Sequence, residues 1–252
     1  MRFAAIADVH GNHLALEAVV ADIRAQGIDA IVNLGDVASS PLEAGRTMDA
    51  LMALDAVHVR GNHDRCLIDR PPEKMGAWDR PAYAQLDAKH LDWLRNVPPT
   101  LVYRDQVFLC HATPGNDDLY WMETVMPDGS VTLSTREAIE KEAEGISQSL
   151  ILCGHTHIAR AVRLGDGRMV VNPGSVGVPG FSYNVPYPHL IEAGTPDARY
   201  AILELVGSEW RVTFRHVPYD HEAMAALARR KGFAEFASAL ATGSVRPAAS
   251  SD

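Results

Sequence analysis

The chain has no run of apolar residues approaching the roughly 20 needed to span a bilayer, so no membrane helix is expected. Its start does not resemble a signal peptide, because Asp8 and His10 interrupt the apolar stretch almost at once. A cytoplasmic location is therefore expected. Basic blocks are also missing: 23 Lys and Arg face 32 Asp and Glu, a formal net charge of −9. That balance excludes long polynucleotides as the main partner, since general nucleic-acid binders carry a basic stripe. Cysteine is scarce, with three residues and no CxxC spacing, which argues against a disulfide framework and for reduced thiols. No internal repeat and no linker divides the 252 residues. One domain over residues 1–242 is expected, followed by a small, polar tail, Gly243–Asp252, expected to be disordered.

What is present is an alternation of short apolar runs and amphipathic stretches. Arg2–Ala7, Ala30–Leu34 and Ala56–Val59 suit buried strands. Between them, His13–Gln26 and Leu42–Leu54 carry helical spacing, and Gly27 ends the first helix. This order predicts parallel strands with crossover helices. After Pro98 the pattern turns to hairpins: Leu101–Tyr103 with Val107–Cys110, Ala161–Leu164 with Met169–Val171 around Gly165-Asp166-Gly167, and Tyr200–Val206 with Trp210–His216. A helix over Ser134–Gly145 is expected, with Ser134 as N-cap and Glu137 completing a capping box. Leu150–Cys153 is another buried strand, and Asp220–Ala241 is helical with a break near Gly232. The two halves predict an α/β (α+β) chain, two packed sheets flanked by helices.

Five polar blocks each follow an apolar run: Asp8-Val9-His10, Gly35-Asp36, Gly61-Asn62-His63-Asp64, Cys110-His111 and Gly154-His155-Thr156-His157. Each is expected in a loop at the carboxyl end of a strand, where sites of open α/β sheets lie. In extended backbone, residues two apart face one side, which would pair Asp8 with His10 and His155 with His157. The neighbouring Gly11, Gly35, Gly61 and Gly154 allow tight turns and close approach. Together the blocks offer two Asp, one Asn and four His, enough nitrogen and oxygen ligands for two metal ions. Of the eleven His, the other structural candidates are His13, His58, His90, His189, His216 and His221, each read as a hydrogen-bonded residue. Asp64 and Arg65 read equally well as helix-start and surface charges and stay outside the ligand set.

The order of these blocks resembles the calcineurin-like metallophosphoesterase superfamily. His111-Ala112-Thr113-Pro114, Val171-Asn172-Pro173-Gly174-Ser175-Val176-Gly177 and Arg199–Leu203 resemble its small bacterial and archaeal phosphodiesterase branch, and the likeness covers roughly residues 1–215. The resemblance implies a four-layer αββα sandwich of two mixed sheets flanked by helices. It implies that Asp8, His10, Asp36 and His157 hold one metal, and that Asp36 bridges to a second held by Asn62, His111 and His155. His63 would sit by the substrate phosphate as general acid or transition-state stabiliser, with Asn62 beside it. The implied activity is hydrolysis of a small, nucleotide-like or other phosphoester by a metal-bridging hydroxide. The implied cofactors are two divalent ions, for which Mn, Fe or Zn suits mixed ligation better than calcium.

Alternatives are a phosphomonoesterase, a phosphoprotein phosphatase, or a non-catalytic scaffold such as the retromer subunit that resembles these enzymes. Scaffolds of that kind tend to lose the catalytic His, whereas His63 is present. The segment Pro179–Pro196 is longer than the family's usual link and carries Phe181, Tyr183 and Tyr187. With Asn116–Asp128 it is expected to shape access to the site. Tyr120 and Trp121 in the latter segment could stack on a nucleobase or pack the loop.

Overall fold

The computed structural model describes residues 1–245; the end of the expected disordered tail, 246–252, lies outside the described residues. The first half runs β1 (Arg2–Ile6), α1 (His13–Ala25), β2 (Ile31–Asn33), α2 (Ala44–Met52), β3 (Ala56–His58), α3 (Asn62–Asp69), α4 (Asp79–Tyr83) and α5 (Ala88–Asn96). There follow β4 (Leu101–Tyr103), β5 (Val107–Leu109), β6 (Glu123–Val125), β7 (Val131–Leu133), α6 (Arg136–Glu142), β8 (Leu150–Leu152), β9 (Arg160–Arg163) and β10 (Met169–Asn172). The chain closes with β11 (Gly180–Tyr183), β12 (His189–Glu192), β13 (Ala198–Val206), β14 (Glu209–Val217), α7 (His221–Arg230) and α8 (Ala234–Thr242).

Two mixed five-stranded sheets result, in the orders β14-β13-β1-β2-β3 and β4-β5-β8-β10-β9. Strands β1, β2 and β3 are parallel in the first, and β5, β8 and β10 in the second. The alternation of β1 decides the layering. Phe3, Ala5 and Ala7 face Val107, Leu109, Leu150, Leu152 and Val171 of the other sheet, while Ala4 and Ile6 face Val19, Ile23 and Met48 of the helices. Both faces of β1 are thus buried, as its unbroken apolar run requires. On the far side of the second sheet, Ile151 and Val170 pack against Ile139 and Ala143 of the α6 region. This is the expected four-layer order.

Several local expectations change. The helix expected from Ser134 is capped instead by Thr135, whose hydroxyl accepts from Ala138 N–H at 3.2 Å. Ser134 donates its own N–H to Met122 C=O at 2.9 Å and so extends the β6–β7 hairpin. The Asn62 block is the first turn of α3 rather than a loop. Helices α4 and α5 and the hairpins β6–β7 and β11–β12 had no clear periodic signal. At the C-terminus, Gly243 closes α8 in a left-handed conformation, and Val245 is buried with its N–H bonded to Glu192. Among the described residues no helix is long and apolar enough to cross a membrane.

One ionic contact ties the first helix to the edge of its sheet. Asp22 on α1 accepts from Tyr200 Oη at 2.6 Å and from both Arg215 nitrogens at 2.9 and 3.1 Å. The bonds from Arg215, joined by that of Tyr200, hold its carboxyl below the ordinary carboxylate range although burial opposes this. A depressed carboxylate stabilises the fold above its unfolded value, about 3.9, and stops doing so as pH falls through the folded value. Asp22→Asn should therefore lower the unfolding free energy by about 1–3 kcal/mol at neutral pH. In urea titrations the gap between variant and parent should narrow as pH drops below about 4. A gap that is constant with pH would assign the contact no ionic part.

Candidate metal centre

All five polar blocks fall beyond the carboxyl ends of parallel strands, β1, β2 and β3 in one sheet and β5 and β8 in the other. The backbone there is not extended. Asp8, His10, Asp36, His155 and His157 have φ of 56°, 46°, 56°, 70° and 60°, in the left-handed region that non-glycine residues avoid. Each such residue costs on the order of 1–3 kcal/mol. The conformation is held by cross-links between loops: Asp8 N–H to Gly35 C=O and His10 N–H to Asp36 C=O, both 3.0 Å, and His155 N–H to the Asp8 carboxylate at 3.1 Å. Asp8 and His10 share one side because two left-handed residues flank Val9, not because the strand continues. Gly61 is dictated by contact, since a Cβ there would overlap the Asp36 carboxylate.

The side chains form two groups, Asp8–His10–His157 and Asp36–His111–His155, with the ligand atoms of each lying within 4.8 Å of one another. Asp36 reaches both. Its Oδ2 is 3.2 Å from His111 Nε2 and 3.8 Å from His10 Nε2. Asn62 Oδ1 lies 3.0 Å from His111 Nε2 and adds an oxygen to the second group. Three rings are fixed through Nδ1, which donates to a backbone carbonyl: His10 to Ser39 at 2.8 Å, His111 to Leu34 at 2.7 Å and His157 to Val178 at 2.8 Å. That bond turns each Nε2 inward as a lone-pair donor.

The resulting crowding tests whether cations fit. The Nε2 atoms of His10 and His157 face each other at 3.3 Å, although each ring has already committed its Nδ1 proton elsewhere. His155 Nε2 is buried with no partner. Two lone pairs at that distance need a cation or a proton between them, and buried polar atoms are otherwise paired. A divalent ion in each group would satisfy them, the nitrogen and carboxylate donors being suited to transition metals. Burial, with neighbouring imidazoles, pushes His10 down to about 4 and His155 down to about 3, favouring the neutral, ligating form. Burial also lowers His111, but Asp36 outweighs it and holds this group up to about 10.

Residues outside the expected set complete the site. Asp64 is buried, and its carboxylate accepts from the N–H groups of Asp36 (2.8 Å), Val37 (2.9 Å) and Gly61 (3.0 Å), joining the loop after β2 to the start of α3. An acidic residue three places into a helix was a legible signal for it. Arg65 grips Asp117 through two bonds of 2.7 and 2.8 Å and tethers the segment after His111. His63 Nδ1 lies 2.6 Å from Asp79 Oδ1. Burial works against its charge, yet Asp36 and Asp79 raise it to about 9. Trp78 stacks on His63 at 5.9 Å, and nothing in the local sequence flags either Trp78 or Asp79.

A cleft of about 360 Å³ opens over the two groups. Both expected access segments line it, Asp118 and Tyr120 from one and Phe181, Ser182 and Tyr183 from the other. The longer one is the ordered β11–β12 hairpin, paired Gly180 to Glu192. Tyr120 lines the cleft, whereas Trp121 packs the loop. Tyr120 is edge-on to His155 at 5.4 Å and bonds His189 at 3.0 Å, whereas Trp121 is buried and donates to Ile139 C=O. Away from the metal groups, His13 Nδ1 lies 2.6 Å from a Glu43 carboxylate oxygen, and His90 accepts Asp87 N–H at 3.2 Å.

Comparison with known proteins agrees with this geometry. An uncharacterized protein of Methanocaldococcus jannaschii is 27% identical over 198 residues, covering 70% of this chain and 76% of its own. The crystal structure of a metallophosphoesterase from Sphaerobacter thermophilus is similar with a TM-score of 0.72 and 26% identity, covering 97% of this chain and 99% of that one. A hypothetical protein from Pyrococcus horikoshii shares the fold at the same TM-score and coverage with 18% identity. The profile of the calcineurin-like phosphoesterase superfamily domain matches residues 1–190, every block that carries the two groups included. With that match over most of its 252 residues, the chain belongs to the calcineurin-like phosphoesterase superfamily.

Proposed function

We propose that this protein is a metal-dependent phosphodiesterase acting on a small phosphoester. The observation that carries the metal reading is the shared carboxylate. Asp8, His10, Asp36 and His157 would hold one ion, and Asp36, Asn62, His111 and His155 the second. When bound, such a pair supplies Lewis acidity, activating water and neutralising phosphoryl oxygens. The chain's own part is to orient the four imidazoles, exclude bulk water and present His63. With Nδ1 engaged by Asp79, the other ring nitrogen of His63 is the one left to donate to a leaving oxygen. The manganese and cytoplasmic expectations belong to this reading.

The preference for a diester follows from charge. Among the described residues lining the cleft, Arg70 is the one guanidinium, and it is exposed at the rim. Doubly charged phosphomonoesters are usually gripped by bidentate arginines, which a singly charged diester does not require. A cleft flanked by the β11–β12 hairpin also suits a small molecule better than a phosphoprotein surface. With Mn²⁺-reconstituted protein, bis(p-nitrophenyl) phosphate should be hydrolysed with higher kcat/KM than p-nitrophenyl phosphate. The reverse order would identify a monoesterase.

Elemental analysis of reconstituted protein should find two ions per chain, and Asp36→Asn should weaken both sites together. One ion in the parent, or loss of a single ion in the variant, contradicts the shared carboxylate. His63→Ala should retain both ions while turnover falls by about 10²–10⁴. If metal content falls instead, His63 is a ligand and not a proton donor.

A further inference from the structure

Beside the metal cleft lies a second cavity of about 350 Å³. The two share Trp78, Phe181 and Ser182. The far wall of the second comes from the turn into α8: Phe233, Glu235 and Phe236. Phe236 meets Trp78 edge-on at 5.0 Å, and Phe181 does so at 6.3 Å, so Trp78 is a side wall common to both cavities. Its ring also meets His63 and His10 of the expected metal site. Phe233, Glu235 and Phe236 lie outside residues 1–190 that the family profile matches.

The lining restricts what fits. Trp78, Phe181 and Phe233 are partly exposed here and offer flat apolar surfaces, on which a planar ring stacks favourably, whereas Phe236 is buried. Ser182 and Glu235 supply a hydroxyl and a carboxylate for in-plane hydrogen bonds. The Glu235 charge opposes a second phosphate in this cavity. The volume is near the lower bound of about 300 Å³ for ligand pockets, so it admits one base-sized group and not a polymer.

We propose that the second cavity is a nucleobase subsite, so that the substrate is a phosphodiester with one nucleoside arm. Its phosphate lies in the metal cleft and its base against Phe233. The phosphate position rests on the phosphodiesterase reading; the binding of the base does not.

The p-nitrophenyl phosphodiesters of thymidine and of methanol share a leaving group and differ only in the second arm. Reconstituted protein should turn over the thymidine ester with kcat/KM about tenfold higher, the gain expected from one stacked base. Phe233→Ala should remove most of that preference, chiefly through KM. Calorimetric titration of thymidine into the reconstituted protein reads the subsite without turnover, and binding should weaken several-fold in Phe233→Ala. Equal kcat/KM for the two esters in the parent protein overturns the proposal. Thymidine binding unaltered by the substitution also overturns it, as does a phenyl ester favoured as strongly as the thymidine one. If neither ester is hydrolysed while thymidine binds as expected, the phosphodiesterase reading fails and the subsite stands.

Discussion

A single carboxylate, that of Asp36, sits where the strand ends of both sheets meet, and the site is arranged around it. One of its oxygens lies within 4 Å of a histidine in each group, while the other accepts His63 N–H at 2.9 Å. Its backbone N–H is held by Asp64. Gly61 must lack a side chain to let this carboxylate in. Moving Asp36 would therefore disturb both groups, the start of α3 and the His63 backbone together. Such shared positioning is the geometric requirement of a paired-metal site.

Left-handed backbone at five of the seven ligand residues makes this arrangement costly in isolation. It is sustained by a close-packed support. Strands β1, β2 and β8 are buried on both faces while β3 is half-buried, and the loops bond to one another across the seam between the sheets. The strain is thus localised where imidazole lone pairs converge, and it is offset when cations satisfy them. The charge of the whole chain, −9, says little about this pocket, whose character would change with any ions bound there.

The β11–β12 hairpin forms a wall of the metal cleft, and the start of α8 a wall of the cavity beside it, and neither carries an expected ligand. Phe181 touches His157 and Trp78, and Trp78 in turn touches His63 and Phe236. A chain of aromatic contacts therefore joins α8 to His63. In families that keep one metal site for many substrates, such outer segments are where selectivity is expected to reside.

The sequence alone determined the buried strands and which polar blocks the fold brings together, because unbroken apolar runs ending in Asp or His carry their own signal. It also determined the two-sheet fold, through parallel-strand spacing in one half and hairpin turns in the other. Residues 62–96 were mostly unreadable, since α3 is polar along much of its length and α4 has five residues, too short to show a period. Only tertiary structure decided that Asp79 anchors His63 and that Tyr120 faces the cleft while Trp121 does not. It alone set the left-handed turns that aim Asp8 and His10. Those outcomes depend on which loops meet across the seam between sheets, and contacts between distant segments leave no local period in the chain.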